Sequence, residues 1–288
     1  MKLVAALLAC VCVWAQPSHP GRPVRGERYP AALQGGTYMH NFYIPPAPGT
    51  TPWAPAWAPD GKSLVVAMYG SLWRVQPDRG TAEEITYSKR YHSSPAYSPD
   101  GQWIVYTADD DHQRIQLEVL NVQTGATHAL TDDREVYLDP VFSPDGTSLA
   151  YVSTKPSGSF NVNVRPIRDG KWAGDEIAVT LDHQYPRDRL YVGRGDSNIE
   201  PAWTRDGKEL ILVSNRGISL GSGGIWRVPV EPNGLQKAKK LVDEQSLYRG
   251  RPDVSIDGKR FLYSSSAGAA DMFHHLYVLP VDGGYTAK

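Results

Sequence analysis

Five residues stand immediately before a proline at recurring places in the chain: Ala54, Ser94, Asp139, Glu200 and Arg251. Two are carboxylates, one is a guanidinium and one a hydroxyl. If the fold gathers them, they form a polar ring able to hold a charged or hydrogen-bonding ligand. Lys89, Arg90 and His92 lie just upstream of Ser94, and Arg134 lies upstream of Asp139. A long, arginine-bearing insert, DHQYPRDRLYVGRGDSNIE (182–200), leads into Glu200. Arg90, His92, Asp139, Glu200 and Arg251 are therefore the candidate binding residues. The competing reading is a ring of solvated loop ends. A ligand there could be a peptide terminus, a partner protein, or a substrate on its way to a neighbouring active site.

Catalytic constellations are missing from these residues. A metal-dependent hydrolase uses a His-x-His pair on a strand, and the chain has none. His274 and His275 are adjacent, so on a strand their rings point to opposite faces. LYSSSAG (262–268) lacks the first glycine of a Gly-x-Ser-x-Gly nucleophile turn. ADDDHQ (108–113) groups acids without the alternation and turning glycine of a calcium loop, and reads as a solvated connection. RGDS (194–197) matches an adhesion tripeptide in letters only. No phosphate-cradling or dinucleotide glycine pattern occurs. The expectation is no catalytic residue, no metal ligand and no cofactor site within the chain.

Bulk properties agree with a binding module. Thirty Lys+Arg against 31 Asp+Glu leave a net charge of −1, with no basic excess to suggest nucleic acid. Twenty-seven Gly and 23 Pro imply many turns, and 16 Tyr with 8 Trp favour strands. The opening MKLVAALLACVCVWAQ reads as an export signal over 1–15: Lys2, a short apolar run to Trp14, and Val13-Trp14-Ala15 before the cut. The alternative is that LLAC (7–10) is a lipobox with a lipidated Cys10. Cys10 and Cys12 both fall in this leader, so a chain cut after Ala15 keeps no thiol. No other stretch is apolar enough to span a membrane. The expected location is periplasmic or extracellular, in a bacterium.

The candidate residues must be positioned by a repeat. PAWAPDGKSLVVAM, PAYSPDGQWIVYTA, PVFSPDGTSLAYVS, PAWTRDGKELILVS and PDVSIDGKRFLYSS begin at Pro55, Pro95, Pro140, Pro201 and Pro252. Their aspartates, Asp60, Asp100, Asp145, Asp206 and Asp257, are 40, 45, 61 and 51 residues apart. In each, Pro presets a turn φ, Asp bonds the backbone beyond it, and Gly takes the positive φ of a tight hairpin. A short strand precedes each turn and an Ile/Leu/Val/Tyr-rich strand follows. Third strands are expected at 71–75, 116–122, 161–167, 224–230 and 275–281. Fourth strands are expected at 83–86, 128–131, 177–180 and 239–242. Strand repeats of this length predict an all-β propeller of four-stranded antiparallel blades, at about 52–88, 92–132, 137–181, 198–243 and 249–288. The residue before each strand-opening proline then falls near one mouth of the central channel.

The Pro-x-aromatic-Ser-Pro-Asp-Gly-Lys box, the I-W/Y-x-V strand and the closing Leu-Thr resemble the propeller of TolB and its relatives over residues 52–288. Arg205, Ile256 and Val254 depart from that pattern in the last two units. Residues 37–75, TYMHNFYIPPAPGTTPWAPAWAPDGKSLVVAMYGSLWRV, resemble the opening of propellers that precede an amidohydrolase domain in exported bacterial enzymes. That resemblance implies a non-catalytic module that orients or screens substrate for a C-terminal hydrolase domain of the same polypeptide. Two alternatives stand beside it: a free-standing periplasmic TolB-like interaction module, and the propeller of a prolyl-oligopeptidase-type serine peptidase. TolB relatives usually carry six or more blades, and the fifth unit here halts at VDGGYTAK inside its expected last strand. The expectation is thus an incomplete ring of six or more, with GTYMHNFYI (36–44), inside the N-terminal segment 16–51, available as a ring-closing outer strand. A natural five-bladed ring is the other reading.

Overall fold

The Asp-Gly turn organises each unit. In the third, Asp145 Oδ1 accepts the Ser143 hydroxyl at 2.6 Å and the Thr147 N–H at 3.1 Å. Gly146 donates its N–H to Ser143 O at 2.9 Å and sits at φ 74, where a side chain would be strained. A Cβ there would also lie 3.3 Å from Pro99 of the preceding unit's turn, so successive turns stack. Asp100, Asp206 and Asp257 accept the same pair of donors. Ala58 replaces the hydroxyl in the first unit, so Asp60 accepts the Lys62 N–H without that second donor. Arg205 and Ile256 stand where proline is usual, and both turns still close through Gly207 and Gly258. A turn of this kind tolerates most residues at that position.

The computed structural model describes residues 52–110, 114–155, 158–181, 196–216, 223–242, 249–266 and 275–283. Blade one is β1 (Trp53–Trp57), β2 (Leu64–Met68), β3 (Ser71–Gln76) and β4 (Thr81–Glu84). Blade two is β5 (Tyr91–Tyr97), β6 (Trp103–Asp109), β7 (Ile115–Asn121) and β8 (Thr127–Ala129). Blade three is β9 (Tyr137–Phe142), β10 (Ser148–Ser153), β11 (Asn161–Arg168), β12 (Lys171–Trp172) and β13 (Ile177–Ala178). Blade four is β14 (Asn198–Trp203), β15 (Glu209–Ser214), β16 (Gly224–Pro229) and β17 (Lys239–Lys240). Blade five contributes β18 (Arg249–Val254), β19 (Arg260–Ser265) and β20 (His275–Pro280) among the described residues. Each blade is an antiparallel meander in sequence order, except that β11 carries both β12 and β13 on its outer side. Five blades stand round a common axis as an all-β propeller.

Blades pack because their second and third strands are apolar on both faces. In β2 the side chains of Val65 and Ala67 point to blade two, where Ile104 and Tyr106 of β6 meet them. The same alternation joins Val105 to Leu149 and Tyr151, Ala150 and Val152 to Leu210 and Leu212, and Ile211 and Val213 to Phe261 and Tyr263. Four inter-blade cores result, and burying each Val, Leu, Ile or Phe among them contributes roughly 1.5–3 kcal/mol.

The Leu-Thr signature has a specific cause. Thr131 Oγ1 accepts the Leu117 N–H at 2.9 Å, while the Leu130 and Thr131 N–H groups reach Leu117 O. Thr86 does the same for Leu72, and Thr180 for Val162. A side chain replaces a ladder bond there, so the fourth strands end earlier than the expected 128–131 and 177–180.

Several expectations lie outside the described residues: the leader at 1–15, the lipobox, the segment 16–51 with its candidate strand at 36–44, the insert up to residue 195, His274 and the end of the fifth unit. No helix among the described residues is long and apolar enough to cross a membrane.

Candidate binding site at the channel mouth

The innermost strand of every blade carries the same irregularity. In β5, Ser93 pairs with Thr107 and Ala96 with Val105, so three steps on one strand face two on the other. β1, β9, β14 and β18 shift identically. The extra residue of each bulge belongs to the dipeptide ending in Pro55, Pro95, Pro140, Pro201 or Pro252. Proline has no N–H to give a ladder, so a bulge on an inner edge is where it fits. The residue before it is forced to positive φ: 49° at Ala54, 45° at Ser94, 47° at Asp139, 53° at Glu200 and 47° at Arg251. Non-glycine residues rarely adopt this conformation, and here it recurs in all five blades.

These five residues and their prolines line one cavity of about 110 Å3 on the axis. Their polar groups are linked in one direction round the ring. Ser94 donates its hydroxyl to Asp139 Oδ1 at 3.4 Å. Asp139 also accepts the backbone N–H of Glu200. Glu200 Oε2 in turn accepts the backbone N–H of Arg251 at 2.5 Å, and Arg251 Nε lies 4.0 Å from Glu200 Oε1. The Arg251 guanidinium, half-exposed, sits 5.7 Å from the centre of the Trp53 ring and so reaches blade one. Gly250 allows the close approach: a Cβ on it would lie 2.9 Å from Glu200 Oε2.

Both carboxylates are harder to ionise than usual. Burial pushes Asp139 up, against the opposing pull of Arg251, the Ser94 hydroxyl and the Glu200 N–H. Burial first, then the negative charge of Asp139, pushes Glu200 up to about 7, with Arg251 again opposing. The mouth therefore changes charge near neutrality. Two carboxylates beside a half-exposed guanidinium suit a ligand with a cationic end, or one with both signs of charge. Among the described residues no group of three or more His, Cys, Asp or Glu forms a metal-binding set.

Asp139, Glu200 and Arg251 are thus brought together at the mouth, with Ser94 and Ala54. Arg90 and His92 are not among the residues lining it. Arg90 forms an ion pair with Glu118 of β7. His92 is buried between Thr86 (Nδ1 to Oγ1, 2.8 Å) and Ser88 (Nε2 to Oγ, 2.9 Å), and its ring packs 4.9 Å from that of Tyr106. The Tyr106 hydroxyl donates to Glu118 at 2.7 Å, and burial raises its pKa. This cluster knits blades one and two together. In ADDDHQ, Asp110 accepts the Arg114 N–H at 3.1 Å. Sequence reasoning missed Trp53 and Gly250, because both act through residues of other blades. The only local signal was their place one residue before Ala54 and Arg251.

Residues 45–174 match the TolB beta propeller domain family. Over these residues the chain resembles the TolB-type propeller. A TolB structure from Acinetobacter baumannii superposes on this propeller with TM-score 0.61 at 20% identity, covering 81% of this chain and 53% of that one. A puromycin-hydrolyzing peptidase of Mycobacterium tuberculosis gives TM-score 0.58 at 18% identity, covering 82% of this chain and 36% of that one. At these identities the likeness shows the fold. An uncharacterized peptidase of Bacillus subtilis, YuxL, is 42% identical over 50 residues, which is 17% of this chain and 8% of that protein. The chain spans 8% of the length of YuxL and 61% of that of an uncharacterized Agrobacterium fabrum protein, Atu1656, which is 25% identical over 189 residues.

Proposed function

We propose that the chain is the non-catalytic propeller of an exported hydrolase and that its channel mouth holds or screens a peptide-like ligand for the catalytic domain. One observation carries this reading: five equivalent strained bulges converge on a single cavity whose polar groups are Asp139, Glu200, Arg251 and Ser94. Strain repeated at one place is kept where the surrounding structure over-determines it, and such places cluster at binding sites. A peptide amino terminus complements the two carboxylates, and a carbonyl or carboxylate complements Arg251.

The amidohydrolase parent rests on the resemblance of residues 37–75. The local likeness to YuxL supports a peptidase parent instead, in line with the prolyl-oligopeptidase-type alternative, and a free-standing TolB-like module is the other alternative. The gene beyond codon 288 separates them: His-x-His, Gly-x-Ser-x-Gly followed by Asp and His, or an early stop.

The binding claim is tested with fluorescent hexapeptides carrying free or acetylated amino ends. The free-amine peptide is expected to bind more tightly, and Glu200→Gln and Asp139→Asn are expected to remove the difference. Equal binding of both peptides, or indifference to both substitutions, would refute the reading. Hydrolysis by this chain alone would refute its non-catalytic character.

A further inference from the structure

The fivefold repeat supplies its own control, and blades two and three depart from it at one place. The third residue after the turn aspartate is Ser63, Ser148, Glu209 or Arg260 in four blades, but Trp103 in blade two. The third strands of blades two, four and five end at the partner of that residue: Asn121 opposite Trp103, Pro229 opposite Glu209 and Pro280 opposite Arg260. In blade three, β11 runs on past Pro166, the partner of Ser148, and its Ile167 and Arg168 pair with Trp172 and Lys171 of β12. The hairpin so formed turns at Asp169 and Gly170, both at positive φ, 50° and 69°.

The extra hairpin is fastened to blade two. Gly170 O accepts from His128 Nε2 at 2.9 Å, and Trp172 Nε1 donates to Leu130 O at 2.8 Å. The half-buried Trp103 ring lies against the turn: a Cβ on Gly170 would stand 2.8 Å from two of its atoms. Between the hairpin, Trp103 and the Asp-Gly turns of blades two and three lies a cavity of about 430 Å3, against about 110 Å3 at the channel mouth, with which it shares no residue. Trp103, Phe142 and Pro166 give it apolar walls. Asp100, Asp145 and Asp169 bring three carboxylates to it, against the single guanidinium of Arg168. The Ser143 hydroxyl and the Thr147 N–H hold the Asp145 carboxyl below its usual range, so it stays charged.

We infer that this cavity between blades two and three is a second binding site, which takes a guanidinium group carried by an arginine side chain or by a smaller guanidine. The carboxylates outnumber Arg168, so the cavity selects a cation over an anion. The indole wall then selects a planar, weakly hydrated cation, which stacks on an aromatic face, over a compact and strongly hydrated ammonium. A guanidinium also gives paired hydrogen bonds to a carboxylate, which fixes its orientation. The volume falls in the range of roughly 300–1,000 Å3 usual for small-ligand sites. Because His128 and Leu130 already hold the hairpin, little of the wall has to be ordered when the ligand enters.

The test titrates the 288-residue chain calorimetrically with Nα-acetyl-arginine methylamide and with its citrulline analogue, which keeps the shape and loses the charge. Both have a blocked amine, so neither offers an amino terminus to the channel mouth. The arginine compound is expected to bind at least about tenfold more tightly. The double substitution Asp100→Asn/Asp169→Asn is expected to remove that preference. Asparagine still accepts the Gln102 N–H in the turn and tolerates the left-handed φ at the hairpin. Trp103→Ser, which installs the residue of blades one and three, is expected to weaken binding by about fivefold; where it unfolds the chain, the asparagine pair decides. Glu200→Gln is expected to leave the preference intact. Tighter binding of acetyl-Gly-Arg-Gly-amide than of the single residue would put the guanidinium on a peptide, and weaker binding would put it on a small molecule; both keep the site. Equal binding of the two compounds, no binding at millimolar concentration, or a preference that survives the asparagine pair would overturn it. So would a preference lost in Glu200→Gln, which would move the guanidinium to the channel mouth.

Discussion

Glu200 Oε2 accepts the backbone N–H of Arg251 at 2.5 Å, so a side chain from the bulge of blade four fastens the bulge of blade five. Asp139 repeats the arrangement one blade earlier on the N–H of Glu200. Each carboxylate satisfies a backbone donor that the bulge has removed from its ladder, and each stays turned into the channel. Blade geometry and site electrostatics are therefore one feature, and substitutions in the ring should register in stability as well as in binding.

Glu200 links stability to pH. Its carboxyl titrates near 7 in the folded chain and near 4.5 when free. Between those values the folded state holds a proton that the unfolded state has released, so stability falls as pH rises across this window and levels off above it. Asp139, also raised, acts with the same sign. Melting curves from pH 4.5 to 8 should show the decline, and Glu200→Gln should flatten much of it. A decline unchanged by Glu200→Gln would assign it to other groups.

Gly250→Ala should push the Glu200 carboxylate off the Arg251 N–H, because the new Cβ meets Oε2 at 2.9 Å. The expected loss is about 1 kcal/mol, the worth of one hydrogen bond, read by urea denaturation. In a Glu200→Ala background the same substitution should cost far less. Equal costs in both backgrounds would show that the glycine serves the backbone alone.

Thr180→Val should cost about 1–3 kcal/mol by leaving the buried Val162 N–H without its acceptor. Thr180 is fully buried, and its Oγ1 also donates to Asn161 Oδ1 at 3.1 Å. Thr180→Ser keeps the oxygen and should lose much less. Chemical denaturation of the pair distinguishes the hydrogen bond from simple packing.

Ala54→Gly should stabilise the chain by up to about 1 kcal/mol, since φ 49 strains an L-residue and suits glycine. The substitution also removes the buried Ala54 methyl, so the gain is net of that lost burial. A destabilising result would mean that the lost methyl and the entropy of an added glycine together outweigh the strain in these bulges.

The repeat period, the turn chemistry and the strand alternation were legible because they are local. Asp145, Gly146 and Pro144 act on residues within five positions of themselves, and their recurrence forced one sheet per unit. The place of Asp139, Glu200 and Arg251 was legible for the same reason: a residue before an inner-strand proline inherits its location from the repeat. Arg90 and His92 do not line the mouth although they sit four and two residues before Ser94: Arg90 is held by Glu118 of β7, and His92 by Thr86 and Ser88 in the connection between β4 and β5.

By itself the sequence determined the blades, since hairpin turns and two-sided apolar strands are written residue by residue and leave a lone sheet with two wet faces. Only the tertiary structure decided which carboxylate fastens which N–H, why Gly250 must lack a side chain, and that the β11–β12 hairpin closes on Trp103. Those depend on residues 50 to 198 positions apart meeting round one axis, and no local pattern encodes the handedness or the closure of that ring.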